Sequence, residues 1–225
     1  MASSVKENPF PGLRSFDYSE STLFFGREKN VNDLLKKLKS NHFIAIIGNS
    51  GSGKSSLIKA GLLPAVFKGG LDEDVNWMIA QFHPGDSPLK NLAASLIDSK
   101  SLSRSDRILD ESSFNRIYNF IKNHSKGLVQ SLRESLPPGY KILILIDQFE
   151  EIFRYGNEVS PEVHSEARQL VNLIIDTVSQ KDVPIYIVIT IRSDFLGECT
   201  QFEGLPEAIN DGHYLVPRMN REQNK

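Results

Sequence analysis

A layered α/β fold, with a central parallel sheet covered by helices on both faces, is predicted by three observations. First, strand-length apolar runs alternate along the chain with segments of helical periodicity. Second, the runs HFIAII (42–47), KILILI (141–146) and PIYIVITI (184–191) are close to continuously apolar, as strands buried on both faces must be. Third, the chain has 225 residues, 40% hydrophobic and 24% charged, which suits one globular domain with a long insertion or tail. That length can bury a sizeable core. It leaves no room for a disordered or fibrous reading.

Each element follows in order. Pro9, Pro11 and Gly12 mark residues 1–16 as an extended arm, residues 17–222 as the domain and 223–225 as a tail. Asp17 and Glu20 have capping-box spacing, so a short helix is expected from there to about Phe24, with Gly26 interrupting it. Val31, Leu34, Leu35 and Leu38 recur at helical spacing, with Lys36, Lys37 and Lys39 on a solvated face. A strand is expected over 42–47, then a helix from Lys54 to about Phe67. A second strand is expected over 76–82, ended by the turn HPGD, then a helix carrying Leu89, Leu92, Ala93 and Leu96. The polar, serine-rich stretch 98–113 reads as a surface loop. Phe114, Ile117, Phe120, Ile121 and Leu128 predict one helix reaching Leu136, stopped by Pro137, Pro138 and Gly139. The strand 141–146 is the clearest in the chain. Ala167, Leu170, Val171, Ile174 and Ile175 define another helix before the strand 184–191, and a short last strand is expected over 213–216.

Charge and composition exclude several functions. Lys plus Arg is 26 and Asp plus Glu is 28, a net charge of −2, so nothing draws the chain as a whole to nucleic acid or anionic membrane. Cys199 stands alone, so no internal disulfide forms. No apolar run approaches the roughly 20 residues of a membrane-spanning helix. The N-terminus lacks a basic-then-apolar leader pattern. These features predict a cytoplasmic protein. The histidines show no ligand spacing, and one cysteine cannot build a zinc site.

The chemistry concentrates in two motifs. Gly48-Asn49-Ser50-Gly51-Ser52-Gly53-Lys54-Ser55 matches G-x-x-x-x-G-K-[ST], with a strand entering and a helix leaving. Glycines allow the backbone to wrap a phosphate with its N–H groups turned inward, and the helix N-terminus adds positive potential. Lys54 is expected to reach the β- and γ-phosphates and Ser55 to bind Mg2+. The run KILILI ends in Asp147, the Walker B pattern of an apolar strand closed by a magnesium-holding carboxylate. The gap between the motifs has room for an extra strand. That favours the P-loop branch including AAA+ and related signalling ATPases. Glu150 and Glu151 follow Asp147, and either could activate water as a general base. Arg192, at the end of the strand 184–191, could reach a γ-phosphate or pair with Asp194. No guanine-recognition element is present, so ATP or ADP is the expected nucleotide.

Further segments make a family visible. Asn8 to Phe16 (NPFPGLRSF), LFFGRE (23–28), GNSGSGKSSLIKAGLLPAVFKGG, ILIDQFEEIF, VITIRSDFLGEC and YLVPRM (214–219) are similar to the core of the novel STAND NTPases. These are P-loop signal-transduction ATPases, and the resemblance runs from about residue 8 to 222. It implies a three-layer P-loop domain with sheet order 5-1-4-3-2. It also implies that Phe25, Gly26, Arg27 and Glu28 form an hhGRE element near adenine and ribose. Ser56 is counted with residues 48–55 among the expected nucleotide-binding residues. Asp147 becomes the Walker B aspartate, Glu150 and Glu151 the acidic pair, and Arg192 a sensor-like arginine. The implied activity is a magnesium-dependent, slowly hydrolysing ATP switch in signalling or defence, or alternatively a nucleotide-binding oligomerisation module. The expected partners are further copies of the domain, or the helical, winged-helix and repeat sensor domains usual in such proteins. The sequence ends soon after the core, as an excised domain or a truncated product would. Pro217, with no glycine two residues before it, reads as the exit from the core.

Overall fold

The computed structural model describes residues 14–101, 111–158 and 161–218. Five parallel strands form one sheet: β1 (Phe43–Ile47), β2 (Asn76–Phe82), β3 (Tyr140–Ile146), β4 (Ile185–Ile191) and β5 (His213–Leu215). Their order is β2-β3-β4-β1-β5, which read from the other edge is 5-1-4-3-2. The alternation of side chains across each strand explains the continuous apolar runs. Phe43, Ala45 and Ile47 of β1 enter one core, with Ile142, Ile144 and Ile146 of β3 and Ile185, Ile187 and Ile189 of β4. Ile44 and Ile46, Leu143 and Leu145, and Tyr186 and Val188 enter a second core on the opposite face. Three layers follow from the two cores.

The second core is closed by α1 (Glu28–Asn41) and a long helix after β1. That helix begins as α2 (Lys54–Ser56), widens into a π-helical segment (Leu57–Leu62) and ends as α3 (Leu63–Phe67). The widening has a local cause. Pro64 has no N–H to give to Ala60, and Leu63 N–H reaches back five residues to Ile58 O. A 3-10 helix (Tyr18–Leu23) carries the expected capping box, with Asp17 accepting from the backbone and Glu20 returning to the Asp17 N–H. Arg14 pairs with Glu20 and holds its carboxyl down at about 2.

The first core is closed by α4 (Pro88–Ser101), α5 (Glu111–Asn123), α6 (Gly127–Ser135), α8 (Pro161–Val178) and α9 (Leu205–Asp211). α7 (Glu151–Glu158) leaves the end of β3, and a 3-10 segment (Ser193–Gln201) leaves β4.

Two expectations are corrected here. The stretch 98–113 is not all loop: α4 runs to Ser101 and α5 starts at Glu111, and residues 102–110 lie outside the described residues. The single helix from Phe114 to Leu136 is two, because the chain turns at 124–126, where Gly127 N–H bonds His124 O. Of the arm at 1–16, only 14–16 are described, and Phe16 N–H is held by Ser56 Oγ at 3.1 Å. The tail at 223–225 lies outside the described residues. No helix among the described residues is long and apolar enough to cross a membrane.

Candidate functional site

The strand order sets β3, β4 and β1 side by side, so their C-terminal ends deliver Asp147, Arg192 and the Gly48–Ser55 loop to one edge of the sheet. Ligands of open α/β sheets bind at this edge. The loop is closed by Ser52 N–H to Asn49 O (3.2 Å) and anchored by Gly48 N–H to Ile191 O (3.3 Å). Gly51 and Gly53 take φ of 72° and 83°, conformations open to glycine, and Gly53 is the N-cap of α2. Asn49, Ser50, Gly51 and Gly53 are exposed, ready to meet a ligand. Ser52 Oγ is buried with no hydrogen-bond partner among the described residues.

Lys54 Nζ donates to Gly48 O (2.8 Å) and Asn49 O (2.9 Å), so the ammonium lies across the loop. Burial pulls its pKa below the ordinary lysine value, opposed first by the charge of Glu150 and then by Asp147.

Asp147 is 2% exposed and fully engaged. Its Oδ1 accepts from Ser55 Oγ (3.0 Å) and Thr190 Oγ1 (2.7 Å). Its Oδ2 faces Lys59 Nζ at 3.5 Å. The donor set fits a magnesium ion: a carboxylate and a hydroxyl at hydrogen-bond distance are hard oxygen ligands at a helix N-terminus, where nucleotide phosphates would supply the rest. Ser55 and Asp147 are the residues that would hold it.

The two glutamates part company. Gln148 sits at φ 59°, an uncommon conformation for a non-glycine residue, and its N–H is held by Thr190 Oγ1 at 2.8 Å. The turn buries Glu150, whose Oε2 accepts from Arg192 N–H at 3.3 Å. Glu151 Oε2 instead accepts from Gly85 N–H (2.9 Å) and ties α7 to the turn after β2. Arg192 presents its guanidinium to Asp194 (Nε to Oδ1, 3.0 Å), which raises its own pKa and lowers that of Asp194.

The remaining expected residues make their contacts outside the loop. Phe25 is 69% exposed, and Gly26 N–H is capped by Glu28 (3.1 Å). Arg27 is 6% exposed, and its Nη1 donates to Pro217 O (2.8 Å), so the segment before α1 is fastened to the segment after β5. Burial lowers the Arg27 pKa, partly offset by Tyr214. Ser56 points away to Phe16 N–H.

Three residues of this cluster escaped sequence reasoning. Thr190 was legible as the one aliphatic hydroxyl in the apolar run IYIVITI; Lys59 was legible as standing one helical turn after Ser55. Ser193, which bonds Asn49 Oδ1 at 2.6 Å, had no such mark.

A Walker A loop and a Walker B aspartate at strand ends of a 5-1-4-3-2 parallel sheet define a P-loop nucleotide-binding domain. More specifically, the chain belongs to the Novel STAND NTPase 1 family, whose model matches residues 9–225. No curated protein shows significant sequence similarity to it. Among solved structures, a chain of the E. coli MS115-1 HORMA:CdnC:Trip13 complex superposes with TM-score 0.53 at 15% identity, over 95% of this chain and 69% of that one. The ORC2 protein of Aeropyrum pernix, in ADPNP-ADP complexes, gives 0.51 at 16% over 94% and 50%. A Walker-type ATPase of Pyrococcus abyssi gives 0.51 at 15% over 94% and 58%. At such identities the likeness speaks to fold alone, and this chain spans only about half of the latter two.

Proposed function

We propose that this domain binds ATP with Mg2+ and hydrolyses it slowly, as the nucleotide switch of a STAND-type signalling or defence protein. The observation that carries this is the placement of Ser55 against Asp147 while a separate buried carboxylate, Glu150, is held by the Arg192 N–H at the neighbouring strand end. The N–H groups of the 48–55 loop would cradle the phosphates, with Lys54 exchanging the Gly48 and Asn49 carbonyls for phosphate oxygens. Ser52 Oγ would gain the partner it lacks. Bound magnesium, held through Ser55 and Asp147, would neutralise phosphate charge. Glu150 would accept the proton of the attacking water while the Arg192 N–H orients it. Arg192 would reach the γ-phosphate only by releasing Asp194, and Glu151 would serve the fold. Phe25, Gly26 and Arg27 would border adenine and ribose. Further copies, or helical, winged-helix and sensor domains, would be its partners, in the cytoplasm.

A non-hydrolysing oligomerisation module is the second reading. It is favoured by the engagement of Arg192 with Asp194, which leaves the γ-phosphate without that cation. Turnover measured at several protein concentrations separates the two, since an assembly-dependent ATPase rises faster than linearly. The primary test is to denature the purified protein, identify any released nucleotide, and titrate Mg-ATP against wild type and Lys54→Ala. Loss of binding in the variant is expected. Unchanged affinity would defeat the proposal.

A further inference from the structure

Asp147 already has a cation beside it, and that cation belongs to the protein. One carboxylate oxygen is occupied by the Ser55 and Thr190 hydroxyls, and the other faces the Lys59 ammonium at 3.5 Å. The pair is largely withdrawn from water: the aspartate side chain is 2% exposed and the lysine side chain 18%. Ion pairs so placed are poorly screened, and each charge depends on the other.

The geometry of the helix makes this pairing deliberate in sequence terms. Ser55 and Lys59 are four residues apart, so both project from the same face of the helix leaving the phosphate loop. Lys59 lies within the π-helical segment that Pro64 imposes. Such widened turns recur at functional sites. Lys59 is thus a second lysine in the site, distinct from Lys54, which bonds the loop carbonyls instead.

We infer that Lys59 is an internal counter-cation that competes with the divalent metal for the Asp147 carboxylate and so sets the magnesium concentration at which nucleotide is held. This rests on the reading of Asp147 as the magnesium-holding residue. A divalent ion arriving at Asp147 meets a positive charge at short range, so part of its binding free energy goes into displacing or repelling that charge. Removing the ammonium while keeping the apolar stem leaves the carboxylate freer for metal and, without metal, poorly compensated.

The experiment titrates Mg2+ into wild type, Lys59→Met and Lys59→Arg at a fixed concentration of a fluorescent ATP analogue, and records melting in EDTA and in saturating Mg-ATP. Lys59→Met should lower the magnesium midpoint by about tenfold, within the range of ordinary site–site coupling. It should melt below wild type in EDTA, and the gap should close in Mg-ATP. Lys59→Arg should stay within about threefold of the wild-type midpoint. If Lys59→Met aggregates, Lys59→Gln carries the same test. A midpoint unchanged or raised in the variant, beside a magnesium-dependent wild type, overturns the role of Lys59 alone. Weaker nucleotide binding by Lys59→Met at saturating Mg2+, where the metal compensates Asp147, overturns it too, because Lys59 would then be a phosphate ligand. A wild type that binds nucleotide with no magnesium dependence overturns both the counter-cation role and the reading of Asp147.

Discussion

Replacing Glu150 and Glu151 singly by glutamine tests the site at the point where the structure separates two residues that adjoin in sequence. The Glu150 carboxylate is 5% exposed, accepts from the Arg192 N–H at 3.3 Å and is the leading charge acting on Lys54. Glutamine retains a carbonyl oxygen that can accept from Arg192, so the fold should be preserved, but the amide cannot take a proton from water. General-base removal costs about 10²–10⁴ in rate, or about 3–5 kcal/mol of transition-state stabilisation. Glu150→Gln should therefore lower single-turnover phosphate release by that factor. Nucleotide affinity should stay within about threefold of wild type, because the phosphates lose a repelling charge and no ligand. Glu151→Gln should behave differently. Its bond to Gly85 N–H at 2.9 Å is charge-assisted, and a neutral acceptor should cost about 1 kcal/mol of stability with turnover within about threefold. The assay is rapid-quench hydrolysis with protein in excess over ATP, alongside urea melts of all three proteins. The reasoning is refuted if Glu150→Gln keeps more than about a third of wild-type turnover, a loss too small for a base. It is equally refuted if Glu151→Gln loses more than about tenfold with its stability intact.

Two further outcomes follow from packing and burial. A methyl group at Gly61 would stand 2.7 Å from Val31 Cγ2 and 3.2 Å from Phe24, so Gly61→Ala should destabilise by about 1–3 kcal/mol, with Val31→Ala restoring part of it in the double variant; a urea melt reads both. Cys199 is 2% exposed and its thiol is pushed up to about 11 by burial, so it stays protonated below that pH. Labelling by a disulfide reagent at pH 8 should be slow in the native protein and fast in urea; equally fast labelling in both would contradict the packing around the segment after β4.

What was legible in the sequence depended on how local its cause was. The strands announced themselves because burial on both faces demands an unbroken apolar run, and Ile142 to Ile146 alternate between two cores without a polar position. The phosphate loop was legible because its conformation needs glycine at fixed offsets. α9 was not, since seven residues (Leu205–Asp211) are too few to show a period, and it is held by Leu205 and Ile209 sinking into a core built elsewhere. The break between α5 and α6 was hidden because apolar spacing resumes at Leu128 after only a short turn. The site divides the same way. Glu150 and Glu151 are chemically alike, and what distinguishes them is contact at a distance: one meets the Arg192 N–H of β4, the other the Gly85 N–H after β2. Thr190 reaches both Asp147 Oδ1 and Gln148 N–H because the β3–β4 register places Ile189 beside Ile146, so the next residue stands beside the aspartate. A one-residue slip in that register would turn the hydroxyl to the other face and leave both groups without it. The catalytic assignments therefore rest on strand pairing rather than on the motif alone, and it is the parallel register of β3 against β4 that makes one glutamate of an adjacent pair the candidate base.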